Sequence, residues 1–129
     1  MKHVARLVAV LVLMTVVFVQ PAGAIQNVTT HTKLRVSATT VQSGDLVKFK
    51  VRLKAGISQC RVHMPIKLFR NGKKVAKKRT NRKGKVVFKR HPRVTARWRA
   101  KFPGKKIGTH PNRYNCLPSK SKRRRVIVT

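Results

Sequence analysis

The sequence predicts an all-β fold, a sandwich of about seven short strands. Three observations predict it. Apolar and polar residues alternate with period two in stretches such as "LVKFKVRLK" and "VTARWRAKF", the period of a strand with one buried face. Gly, Pro, Asn and Ser gather between those stretches as turn signals. No helical period competes with the alternation. Strands that each carry one apolar face satisfy one another by packing as two sheets.

Each element follows in order. The first strand is expected over about 33–39, with Leu34, Val36 and Ala38 on one face. "QSGD" turns the chain into a second strand, 46–54, whose Val47, Phe49, Val51 and Leu53 point inward. Asp45 belongs to that turn, where a carboxylate accepts local amides. A third strand, 64–70, turns Met64, Ile66 and Leu68 inward. Asn71-Gly72 is a hairpin signal, because both residues tolerate positive φ. A short fourth strand is expected over 74–77 and a turn over 80–84. The fifth strand, 85–90, buries Val86 and Phe88; the sixth, 94–102, buries Val94, Ala96, Trp98, Ala100 and Phe102. A long loop, 103–121, leads to a seventh strand over about 123–129.

The first 24 residues read as a secretory signal peptide. Lys2 and Arg6 precede an apolar run over 7–19, and Ala22-Gly23-Ala24 has the small residues of a cleavage site. The run is shorter than the ~20 residues of a membrane span, and no later segment is apolar enough to be one. Residues 25–32 then form a short leader, and 33–129 the domain.

The 33 Lys and Arg, less Lys2 and Arg6, leave 31 against Asp45, a formal charge of +30. Such a chain repels itself, and counter-anions must offset the cost. Paired carboxylates for acid–base work are excluded outright. His31, His63, His91 and His110 have no acidic partner nearby in sequence. The chain is therefore expected to be no enzyme and to carry no cofactor.

Cys60 and Cys116 are expected to pair in an oxidising compartment. The bond closes a loop of about 57 residues, worth on the order of 4 kcal/mol in the chain-entropy model. A rival use is a zinc site from Cys60-x-x-His63 and His110-x5-Cys116, two Cys and two His. The H-x5-C spacing is loose for a metal, and the surrounding cations disfavour one.

The stretches "KLRVSATTVQSGDLVKFKVRL", "IKLFRNGKKV", "TNRKGKVVF", "VTARWRAKFPG" and "SKSKRRRVIV" together resemble bacterial immunoglobulin-like domains of secreted and surface proteins, actinobacterial ones among them. The resemblance spans about 33–129 and rests on the order of weak motifs. It implies an immunoglobulin-like β-sandwich and a binding, spacer or adhesive role. It also implies that the loops holding Cys60 and Cys116 share one end of the sandwich. The single copy and the extreme charge depart from that family.

The cations carry the remaining signal. Lys48, Lys50, Arg52 and Lys54, and Arg97, Arg99 and Lys101, fall on outward strand positions. Arg123, Arg124 and Arg125 lead the last strand. These ten are the candidate polyanion-binding residues. The expected partner is an anionic polymer: wall polymer, anionic glycan or lipid headgroups. Nucleic acid binding is expected only without sequence preference, since Trp98 reads as core and no exposed aromatic is foreseen for stacking bases. Rival readings are a cationic antimicrobial or membrane-active protein, and a structural or adhesive partner of another surface protein. The sequence is silent on oligomeric state.

Overall fold

The structure, a computed structural model, describes residues 25–129; the expected signal peptide lies outside the described residues. Twelve strands and one 3-10 turn form the described chain. They are β1 (Gln26–Val28), β2 (Thr30–Val36), β3 (Thr40–Val41), β4 (Val47–Ala55), β5 (Pro65–Arg70) and β6 (Lys73–Arg79). Then come β7 (Lys85–Arg90), β8 (Ala96–Phe102), β9 (Lys105–Ile107), β10 (Tyr114–Cys116), β11 (Ser119–Lys120) and β12 (Arg124–Val128). The 3-10 turn, Ser58–Cys60, lies between β4 and β5.

The strands build a sandwich. One sheet runs β2-β4-β7, and the other β3-β12-β8-β5-β6 with β11 also on β8. β3 lies parallel to β12, and the other pairs in these two sheets are antiparallel. The chain crosses to the second sheet for the short β3 and returns to the first at β4, then changes sheets between β4 and β5, between β6 and β7, and between β7 and β8. That is the Greek-key path of an immunoglobulin-like sandwich. A small third sheet, β1-β10-β9, has β1 parallel to β10.

The alternation places the core as expected. Val47, Phe49, Val51 and Leu53 of β4 are buried, as are Ile66, Leu68, Trp98, Ala100 and Phe102 of the other sheet. The Phe49 and Trp98 rings lie 4.3 Å apart, tilted by 33°. Such a pair contributes about 0.5–1.5 kcal/mol beyond its buried area.

The seams between the sheets are closed by cations and hydroxyls. Lys78 Nζ of β6 donates to Val87 O of β7 at 3.1 Å, and Arg90 of β7 donates back to Val75 O of β6. On the opposite seam Arg124 Nε donates to Leu34 O at 3.2 Å. There Thr30 and Thr32 also share Ser119 Oγ, at 2.8 and 2.7 Å. Carbonyl oxygens thus do what carboxylates do in a protein that has them.

All three expected turns are present, that over 80–84 closed by Gly84 N–H donating to Asn81 O at 3.0 Å. Asn71 and Gly72 have φ of 47° and 81°, and Asn71 Oδ1 accepts the Arg97 N–H at 2.9 Å. Asp45 Oδ2 accepts the Gln42 amide at 3.1 Å. Three expectations are corrected. The expected leader, 25–32, contains β1 and the start of β2, where buried Thr30 and Thr32 face inward through hydroxyl bonds that hydropathy does not register. The loop 103–121 contains β9, β10 and β11: β9 and β10 form a hairpin that distant β1 extends, and β11 adds two residues to β8. The sixth strand starts at Ala96, and Val94 is 59% exposed.

Candidate polyanion-binding faces

Strand register converts the basic positions into rows. On the outer face of the first sheet, Lys33 stands opposite Arg52, and Arg52 opposite Lys85. Arg35 stands opposite Lys50, and Lys48 opposite Lys89. Neighbouring strands are about 4.8 Å apart, and like charges directly opposite destabilise the pair. The cost is visible at Lys54. The Lys33 side chain beside it, then the charge of Arg52, hold its pKa below the usual lysine value. A groove of about 250 Å³ lies on this face, lined by Lys33, Arg35, Lys50, Arg52, Lys54 and Val87 among others.

The second sheet repeats the theme with a longer row. Lys77, Lys67, Lys101 and Lys120 stand side by side across β6, β5, β8 and β11. Phe69 stands opposite Arg99, and Arg97 opposite Arg125. The Lys101 ammonium sits 4.5 Å from the centre of the Phe69 ring, a cation–π contact that stabilises a charge where no carboxylate is at hand. Arg99 Nε is buried with no hydrogen-bond partner among the described residues. A groove of about 270 Å³ here is lined by Phe69, Arg97, Arg99, Lys101 and Arg123 with Asn71 and Gly72.

The ten candidate residues therefore divide. Lys48, Lys50, Arg52 and Lys54 share the first face. Arg97, Arg99, Lys101, Arg123 and Arg125 share the second, on the opposite side of the sandwich. Arg124 joins neither: it stands opposite buried Trp98 and turns to the seam. Lys33, Arg35, Lys67, Lys77, Lys85, Lys89 and Lys120 belong to the rows and are not among the ten candidates. Strand parity alone is enough to find those on the main strands. Parity also turns Phe69 and Val87 outward, and Phe69 is half-buried among the cations.

One end of the sandwich is tied by Cys60–Cys116, with Cα atoms 5.6 Å apart and both residues fully buried. The bond joins the 3-10 turn to β10, so neither cysteine offers a thiolate to zinc. Among the described residues no cluster of three or more His, Cys, Asp or Glu is poised for a metal. Beside this bond lies an open groove of about 740 Å³ between the 3-10 turn and the β9–β10 hairpin. Among the described residues, no helix is long and apolar enough to cross a membrane.

Comparison with known proteins finds no family model, no curated relative and no solved structure that matches this chain.

Proposed function

We propose that this chain is a secreted, non-enzymatic sandwich domain that holds anionic polymers at or near the cell envelope. One observation carries the reading. Cations stand in register across both outer faces, as in Lys77–Lys67–Lys101–Lys120, with no carboxylate between them. Only an external anion relieves that arrangement. The mechanism is multivalent ion pairing with release of counterions. Arg97, Arg99, Arg123 and Arg125 give forked contacts to phosphate, sulfate or carboxylate, and the lysines give point charges. Secretion is supported by the signal-like residues 1–24 and by the disulfide, which persists in oxidising compartments.

The test is binding of the protein without residues 1–24 to wall teichoic polymer, to heparin and to neutral dextran, each at low and moderate salt. Binding to the two polyanions that vanishes with salt, and none to dextran, supports the reading. Salt-resistant capture of a single protein, or leakage of dye from anionic vesicles, would replace it with the adhesive or the membrane-active reading.

A further inference from the structure

The groove beside the disulfide breaks the charge rule of the molecule. Of the 105 residues after position 24, 31 are Lys or Arg. None of the ten that line this groove is either. Exposed loops are the cheapest place to put a charge in water, and this chain does so at Arg82-Lys83 and Lys122. Keeping Lys and Arg out of this groove calls for an occupant that long charged side chains would obstruct.

The lining chemistry says what kind. Tyr114 and Ile107, paired across β10 and β9, give an aromatic and an apolar wall. Gln59, Thr109 and Asn112 offer hydroxyl and amide groups. Among the described residues the side chains of Thr109, Asn112 and Tyr114 make no hydrogen bond within the protein. An anion finds no Lys or Arg in this lining, a cation finds no carboxylate, and a purely apolar ligand would leave those amides unpaired. A ligand with an apolar ring face and many hydroxyls satisfies all of it. Rigid aromatic and small polar side chains are also what loop-built binding sites use most.

The groove is a built feature. Its floor is pinned by Cys60, next to Gln59, and by Cys116, two residues from Tyr114. Gly108 has φ of +85°, and a Cβ there would lie 2.1 Å from Asn112 O. The hairpin that carries Thr109 and Asn112 therefore requires glycine at that position. Its volume is within the usual range for a ligand site, about 300–1,000 Å³.

We propose that this groove binds a short stretch of uncharged carbohydrate, with a sugar ring on Tyr114 and hydroxyls on Gln59, Thr109 and Asn112. The site is independent of the polyanion faces. The test uses the protein without residues 1–24 in about 0.5 M salt, where the faces are screened. Neutral tetrasaccharides of glucose, xylose and N-acetylglucosamine are titrated while amide shifts are followed by NMR. The expected result is saturable movement at Gln59, Thr109 and Tyr114 with at least one sugar. Tyr114→Ala should weaken it about tenfold, the effect of losing an aromatic anchor. Thr109→Arg, on an exposed loop, should abolish it by filling the groove while heparin binding in low salt persists. No shift with any of the sugars, or binding that Thr109→Arg leaves intact, overturns the proposal.

Discussion

The outer sheet faces and the groove beside the disulfide follow opposite rules. On the faces, charge stands where strand register fixes the spacing, and cations oppose cations across β2, β4 and β7 and across β6, β5, β8 and β11. The groove lining holds no Lys or Arg, and position is set by a covalent bond and a glycine. The faces accept repulsion within the fold and pass the need for anions to the surroundings. The groove has nothing to neutralise and offers shape and hydrogen bonds. A formal charge of +30 therefore describes the sides of the molecule and not this part of its end.

The largest expected effect belongs to the faces. With a short DNA duplex as a polyanion probe, affinity should fall by about 10³ or more between roughly 50 and 200 mM salt. Replacing Lys48, Lys50, Arg52 and Lys54 together by Gln should flatten the log–log salt slope by about three. Carbohydrate binding at the groove should not change. An unaltered slope would mean that the first face does not touch the polymer.

Removing the disulfide separates the regions from the other side. Cys60→Ala with Cys116→Ala should cost about 4 kcal/mol in urea unfolding. The groove should lose its form while the variant, below its unfolding midpoint, still binds heparin. A loss of heparin binding in folded protein would show that the two regions are not separate.

Gly108→Ala tests the groove alone. A side chain at this positive φ costs about 1–2 kcal/mol before its clash with Asn112 is counted. Amide shifts should move in the β9–β10 hairpin and beside the 3-10 turn and stay put on β4. Shifts spread across β4 would mean that faces and groove are mechanically one.

The smallest effect is the titration of Lys54. Its pKa is lowered in the folded protein, so the folded state gives up that proton at lower pH than the unfolded chain does. Between the two values the unfolded state binds more protons, and stability rises with pH. The penalty is fully present below the folded value and is relieved as pH climbs to the ordinary lysine range. Lys33→Gln should raise the Lys54 pKa, and bound heparin should do the same, read by the shift of its Cε carbon. A pKa that neither change moves would detach Lys54 from its row.

Much of this was legible in the sequence, and the reason is periodicity. Period two placed Phe49, Leu53 and Trp98 in the core and Lys48, Lys50 and Arg52 outside it, because a strand with one wet face must alternate. The Asn71-Gly72 turn was legible because its backbone needs residues of that kind. The same logic was silent on β1, β9, β10 and β11. These are two or three residues long, too short to show a period; β1 finds β10 some 90 residues away, β9 and β10 pair beside the disulfide, and β11 only adds to β8. Thr30 and Thr32 escaped because they are buried by hydroxyl bonds to Ser119 and not by hydropathy. Arg124 escaped because a side chain on the inner parity at an open seam can escape sideways. The groove left a faint trace, a gap without Lys or Arg over 107–112, which takes on meaning only once Gln59 is seen across from it.

The Cys60–Cys116 bond has a mechanical consequence as well. If Ile25 and Thr129 are pulled apart, tension enters along β1 to β4, crosses the bond at Cys60 and leaves through β11 and β12. Residues 61–115 lie behind it as a slack loop that bears no load. The stretch that holds β5 to β8, with Trp98 at its centre, is thus shielded from force while the terminal strands yield. The tether can extend by less than half of its described chain, so a polymer gripped by the β5–β8 face would be held by the part that strain reaches last.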